Sequence, residues 1–297
     1  MLGVIGDLVE DVVVWLGENI QHGTDSKVEI FHTRGGSAAN VAVFAAPLYP
    51  TRFLGCVGDD HSGRFLVDSL AASGVDVFVQ RGGRTGTVVI LIDESGERTM
   101  FPQRAASTLL QDVPEAWLEE LELLHIPAYS FSAGPLADTA TTVARAMKER
   151  GAAVSIDASS TGMLREYGVE AFMELLSDIA PDFLIANEGE AALLELSERG
   201  LPGRHLSRLP TTTVIAKAGP RPTSIHEPGK PVRTVPVPPV DRIRDLTGAG
   251  DAFAAGFLTG FLASRDLEEA CQRGHTTAAQ VLSSPGASSA GSVSSDG

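Results

Sequence analysis

Cysteine is scarce in this sequence: of 297 residues, only Cys56 and Cys271 carry a thiol. Two isolated thiols make no disulfide framework, and no CxxC or Cys/His cluster has zinc spacing. Both read as small buried apolar residues. Basic residues are also in deficit, with Lys+Arg 23 against Asp+Glu 38 and a formal net charge of −15. That sign opposes non-specific attraction to nucleic acid or to an anionic membrane surface, so neither partner is expected. No apolar run approaches the roughly 20 residues needed to span a bilayer. The opening stretch, MLGVIGDLVEDVVVW, has acids inside it and no basic region before it, so it is not expected to act as a signal peptide. A cytoplasmic protein is expected. The Walker-A pattern and GxGxxG are both absent. P-loop kinases, protein kinases and Rossmann dehydrogenases lose support accordingly.

What is present is ordinary globular material, 43% hydrophobic and 21% charged, with 31 glycines and 17 prolines that imply many tight turns. LGVIG at Leu2–Gly6 predicts a buried strand, and Val12–Leu16 another after an acidic turn at Asp7–Asp11. A small-residue helix follows from Gly35, then the strand RFLGCVG and the amphipathic helix HSGRFLVDSLAASG. From Val75 to Pro102 helical periodicity gives way to the β-rich pieces VDVFV, TGTVVILID and GERTMFP. This stretch, together with the pieces around Val12–Leu16 and Val28–Phe31, is expected to form a small sheet standing out as a lid. Alternation resumes after Pro114: helix PEAWLEELELL, strand HIPAYSF, helix ADTATTVARAMKERG, strand AAVSID, a helix around Glu166–Leu176, strand DFLIAN and helix EGEAALLEL. Strand TTTVIAKAG, the β-like SIHEP and VRTVPVP, and helices from Ala249 and Leu267 close the pattern. The fold class predicted is α/β, a mostly parallel central sheet covered by helices on both faces, with ligands at strand C-terminal ends.

Two segments concentrate chemistry. In DLTGAGDAFAAGF, a loop of small residues delivers Gly248, Ala249 and Gly250 to a helix N-terminus, with Asp251 in its first turn. Unpaired amides and the positive end of the helix dipole there can hold a phosphoryl group, and Asp251 could take a proton from an attacking alcohol. Equally, Asp251 could be a helix-starting acid and nothing more. In RGGSAANVA, Gly35 and Gly36 allow close backbone approach, and Asn40 offers a donor and acceptors to a diol, or the glycines simply cap an alanine-rich helix.

Taken together these residues resemble the ribokinase-like carbohydrate kinases, the PfkB family, over essentially the whole chain. Its N-terminal signature is similar to GGSAANVA followed by GCVGDDHSGRFL, and its C-terminal signature to DLTGAGDAF. The resemblance implies a kinase domain over about residues 1–285, with a lid from about 12–33 and 75–103, and a Ser/Gly-rich tail at 286–297. It implies ATP-dependent phosphorylation of a hydroxyl on a small sugar or sugar acid, with Asp251 as base and the amides of Gly248, Ala249 and Gly250 as anion hole. Substrate contacts fall on Asp11, Gly35, Gly36 and Asn40. Nucleotide contacts fall on Asn187, Lys217, Gly219, His275 and Gly286. NEGE, Asn187 to Glu190, resembles the element that organises Mg2+ through waters, with Asp157 behind it, and Asp245 resembles the acid near a monovalent-cation site. Leu246 replaces the usual Thr beside that acid, which leaves K+ open, and Ser37 and Ala38 replace Lys and Gly of ribokinase itself. A homodimer through the lid is the family default. Two other readings stay open: a nucleoside kinase with a base clamp from Phe31, Met100 and Phe101, and a catalytically inactive nucleotide-binding or regulatory module.

Overall fold

The computed structural model describes residues 1–20, 22–240, 243 and 246–283. The tail at 286–297 therefore lies outside the described residues. The chain opens with Leu2–Ile5 (β1), turns at Gly6, and runs through the antiparallel pair Val9–Leu16 (β2) and Val28–Gly35 (β3) into helix Ser37–Ala45 (α1). Thr51–Val57 (β4), His61–Ala72 (α2) and Asp76–Arg81 (β5) follow, then Thr87–Ile92 (β6) paired with Arg98–Gln103 (β7). Next come Leu123–Pro127 (β8), Gly134–Glu149 (α3), Ala153–Asp157 (β9), Thr161–Tyr167 (α4), Val169–Ile179 (α5), Phe183–Asn187 (β10) and Glu188–Leu193 (α6). A short ribbon joins Ser197–Glu198 (β11) to Leu201–Pro202 (β12). Thr213–Ala218 (β13), Arg221–His226 (β14), Arg233–Val235 (β15), Ala249–Ser264 (α7) and Leu267–Leu282 (α8) complete the order.

The main sheet runs β15-β14-β13-β10-β9-β8-β1-β4-β5, parallel from β13 to β5, with β14 and β15 added antiparallel at one edge. Its middle strands read as largely apolar runs because both faces are covered, and the polar residues inside them, His125 and Ser155, are paired with each other, Nδ1 to Oγ 3.1 Å. One face buries Phe172, Leu176 and Met147 of α3 and α5; the other buries Phe53 with Phe44 of α1, Leu66 of α2 and Phe257 of α7. Helix α7 is buried almost all round, and glycines set how closely α8 lies against it. A Cβ on Gly256 would meet Thr277 Oγ1 at 2.5 Å, and one on Gly274 would meet the Phe253 ring at 2.9 Å. That close approach seats the first turn of α7 at the C-terminal edge of the parallel strands.

The small sheet has the order β3-β2-β6-β7. Asp76–Arg81 is not part of it, contrary to the expected lid range of 75–103. These residues pair in parallel with Arg52–Val57 across α2, so they close an ordinary β-α-β unit at the edge of the main sheet. The helix expected over PEAWLEELELL is a single 3-10 turn at Glu115–Leu118. Glu120 has a positive φ of 65°, which ends any helix there, and the leucines beyond it are drawn into β8 between β1 and β9. That strand stops at Pro127, not at the expected Phe131. Gly168, with φ 94°, divides the helix expected around Glu166–Leu176 into α4 and α5. Asp11, expected at a turn, lies inside β2, because β2 begins at Val9.

Candidate active site

Asp251 sits where α1 meets α7. Gly248, left-handed with φ 75°, turns the chain into α7, and Asp251 falls in the first turn. From the neighbouring α1, Ser37 Oγ donates to Asp251 Oδ1 at 2.7 Å and Asn40 Nδ2 donates to Oδ2 at 3.0 Å. Helix α1 reaches that position because Gly36, φ 101°, lies against the Asp7 carbonyl, 2.3 Å from where a Cβ would stand. Burial pushes the Asp251 carboxyl up to about 6; the Ser37 and Asn40 bonds oppose the rise, the Asp157 charge adds to it, and Lys217 opposes it. The Ala249 N–H donates to the Leu246 carbonyl at 3.3 Å. The Gly250 N–H has no carbonyl partner among the described residues.

Asp11 approaches from the base of the small sheet. Its carboxylate lies over Gly35, where an added Cβ would stand 1.9 Å from Oδ1, so any larger residue there would push the carboxylate from this place. No protein donor bonds this carboxylate among the described residues. Burial raises it to about 6, against the pull of Arg34. Arg34 reaches Asn40 Oδ1 from Nη2 at 3.4 Å.

A cavity of about 880 Å³ opens beside Asp251, lined by Tyr129, Asp157, Asn187, Glu190, Lys217, Gly219 and His275 among others. Parallel register sets three of these at strand C-terminal ends: Asn187 lies opposite Lys217, and Asp157 opposite Ile185. Asn187 and Glu190 form a capping box at the start of α6: Asn187 N donates to Glu190 Oε2 at 2.7 Å, and Glu190 N to Asn187 Oδ1 at 2.9 Å. Asn187 Nδ2 adds a third bond, to Glu190 Oε1 at 2.6 Å. Glu190 is only 2% exposed. Burial first, then the Asp157 charge, pushes it up to about 7, while the Asn187 amide and Lys217 pull the other way. Lys217 Nζ stands 3.4 Å from Asp157 Oδ2, over the Phe253 ring, and 3.6 Å from where a Cβ of Gly250 would be. Ser159, left-handed at φ 64°, fixes Asp157 by donating its amide to Oδ1 at 2.7 Å. A strained serine in such a place fits a functional constraint.

Most expected residues thus converge: Asp251, Gly250, Asn187, Glu190, Lys217, Gly219, Asp157 and His275 share the cavity. On the other side Asn40 bonds Asp251, Gly36 leads into the helix that carries Asn40, and Gly35 lies beneath the Asp11 carboxylate. His275 is only 6% exposed and is committed to Thr223 Oγ1 at 2.9 Å. Asp245 and Gly286 lie outside the described residues. Among those described, no group of three or more His, Cys, Asp or Glu side chains could hold a metal ion directly. Asp157 and Glu190, two buried acids with only Lys217 between them in charge, nonetheless suit a cation held through water. Of the expected nucleoside clamp, the register puts Phe31 and Met100 in one row with Val13 and Ile90. Asp11 belongs to that face by the two-residue alternation, whereas Phe101 falls on the opposite face. Arg34, Ser37, Tyr129 and Ser159 were missed as site residues. Arg34 and Ser37 flank the paired glycines, so their position was a usable signal; Tyr129 and Ser159 arrive only through long-range folding.

The family model described as pfkB family carbohydrate kinase matches residues 4–293. The chain is similar to an ATP-dependent ribose-1-phosphate kinase of Halopiger xanaduensis, 32% identical over 86% of this chain and 82% of that one. It is similar to a fructokinase of Klebsiella pneumoniae, 33% identical over 88% and 84%. The fold matches the crystal structure of adenosine kinase from Sinorhizobium meliloti with a TM-score of 0.84, at 23% identity over 96% of this chain and 94% of that one. No helix among the described residues is long and apolar enough to cross a membrane.

The position of Glu190 makes a pH-dependent stability prediction. Its folded value, about 7, stands above the ordinary 4.5, so folding favours the protonated form. The resulting penalty is present above pH 7 and fades as pH falls toward 4.5. Glu190→Gln keeps one capping oxygen without the charge. Urea denaturation of the two proteins should show the variant more stable at pH 8, with the advantage shrinking toward pH 5; a difference that does not change with pH would contradict the assignment.

Proposed function

The chain belongs to the pfkB family of carbohydrate kinases, and we propose that it transfers the terminal phosphate of ATP to a hydroxyl of a small sugar or sugar acid. The observation behind this reading is the placement of Asp251: one carboxylate bonded to both substrate-side residues of α1, at the N-terminus of α7, on the wall of a cavity of about 880 Å³. The acceptor would lie between Asp11, Asn40 and Asp251. Asp11, bare of protein donors among the described residues, would accept bonds from one or two hydroxyls. The attacking hydroxyl oxygen forms its bond to the γ-phosphorus, its proton passes to the Asp251 carboxylate, and the bond to the bridging oxygen of ADP breaks.

ATP would occupy the large cavity, its base against the apolar wall of Pro238, Val240, Ile243 and Leu282, its phosphates toward Lys217 and the start of α7. The amides of Gly248, Ala249 and Gly250 would hold the transferred group, the Ala249 N–H giving up its Leu246 carbonyl to do so. Mg2+ with the nucleotide would supply charge neutralisation, held through water by Glu190 and Asn187 with Asp157 behind them. The small sheet would act as a lid that excludes water from the acceptor. The face of this sheet opposite Asp11 exposes Val28, Ile30 and Phe101, which supports pairing with a second copy; sedimentation should give a dimer, and a monomer at high concentration would reject the pairing.

A nucleoside acceptor is the second reading. The apolar row of Val13, Phe31, Ile90 and Met100 on the Asp11 face favours it, since a base needs such a surface.

Asp251→Asn should lower kcat by about 10²-fold or more while leaving ATP affinity near normal. The wild-type kcat/KM should fall as pH drops through about 6, because the base works only when ionised and its carboxyl is raised to that value. ADP release measured from pH 5 to 8 checks both. A variant with near-normal turnover would remove Asp251 from this role.

A further inference from the structure

Two arginines that serve the fold, Arg104 and Arg52, each make three side-chain hydrogen bonds. Arg104 holds Asp7 through Nε at 2.7 Å and Nη2 at 2.8 Å, and reaches Ser132 Oγ through Nη1 at 2.8 Å. Arg52 holds Asp76 at 2.8 Å and the carbonyls of Trp117 and Glu119 at 3.1 and 3.0 Å. Arg34 differs from both. Among the described residues its side chain makes a single hydrogen bond, to Asn40 Oδ1, long at 3.4 Å, and its Nε is sealed from solvent with no acceptor. Neither Asp11 nor Asp251 comes within ion-pair distance, although the charge of each favours the guanidinium against the burial that opposes it. A guanidinium offers five N–H groups in a planar fork, and leaving them unmet in a half-buried place is costly. Such a cation is incompletely satisfied until something anionic arrives.

The neighbourhood says where that partner would lie. Asn40 bonds Arg34 through Oδ1 and Asp251 through Nδ2, so the guanidinium and the carboxylate stand one amide apart. An anion entering between Asp11 and Asp251 would be repelled by both acids unless a cation stood beside it, and Arg34 is a cation that the charges of both acids favour. A neutral sugar would leave the fork unfilled, whereas two oxygens of one anionic group match its geometry.

We propose that Arg34 is a specificity-determining residue that selects acceptors bearing an anionic substituent, a phosphate monoester or a carboxylate, while a hydroxyl of the same molecule faces Asp251. This rests on the kinase reading above and narrows its substrate class. The test uses matched pairs: ribose against ribose 1-phosphate, and glucose against gluconate. Isothermal titration without nucleotide measures binding to the wild type, Arg34→Met and Arg34→Lys, and ADP release with Mg-ATP measures turnover separately. In at least one pair the anionic member should bind about 10- to 100-fold more tightly, with the preference erased in Arg34→Met and partly restored in Arg34→Lys. Turnover should show the loss in KM, with kcat largely kept. Whichever pair responds distinguishes phosphate from carboxylate. No anionic preference in either pair, no binding of any of the four, or an Arg34→Met loss equal for both members of a pair would overturn the proposal. A preference in binding without any ADP release would instead count against the kinase reading and leave the role of Arg34 standing.

Discussion

Two hydrogen bonds, from Ser37 and Asn40 to the carboxylate of Asp251, join parts of the chain 214 and 211 residues apart, and the geometry of the site depends on them. They require α1 and α7 to lie close at their first turns. Gly36 permits this on one side by letting the backbone pass against the Asp7 carbonyl, and Gly248 on the other by turning left-handed into α7. The large apolar residues behind these turns, Phe53 and Phe257 among them, keep both helices on one face of the sheet. Asp251 is consequently buried enough to be raised to about 6 yet held by donors that favour its ionised form. A carboxylate balanced in this way is ionised at neutral pH and still basic enough to take a proton in a transition state.

Charge explains much of the rest. The protein is strongly acidic, and its cavity gathers Asp157, Glu190 and Asp251 where an anionic nucleotide would have to sit. Positive potential there comes from Lys217 and the first turn of α7, and their proximity makes them one feature: Lys217 Nζ would touch a Cβ at Gly250 at 3.6 Å. The Asp157 charge raises both Glu190 and Asp251, which marks a place where a further cation would be welcome. Arg34 plays the corresponding part on the acceptor side, where it is the counterweight to Asp11.

Much of this was legible in the sequence because each parallel strand, buried on both faces, leaves an apolar run, and each covering helix leaves a stripe. The two signature segments led directly to Asp251, Gly36 and Asn40, and NEGE to the capping box. The misreadings share a cause, which is that local pattern does not record the partner. VDVFV has the same β character in a small sheet as at the edge of a large one, and only its register with Arg52–Val57 decides. PEAWLEELELL has helical spacing, but its leucines are worth more to the sheet as β8 than to a helix. Tyr129 and Ser159 had no local signal at all, since their place beside Asp157 is made by adjacent strand ends. Arg34 was in plain view before Gly35, yet its missing partners are visible only once the side chains around it are placed.

The most direct test of the central claim is a crystal structure with a non-hydrolysable ATP analogue, Mg2+ and the first acceptor found to support ADP release. The account predicts one acceptor hydroxyl within about 2.6–3.2 Å of an Asp251 oxygen and aligned with the γ-phosphorus. An acceptor bound with its hydroxyls away from Asp251, or on the far side of the cavity from α1, would contradict it.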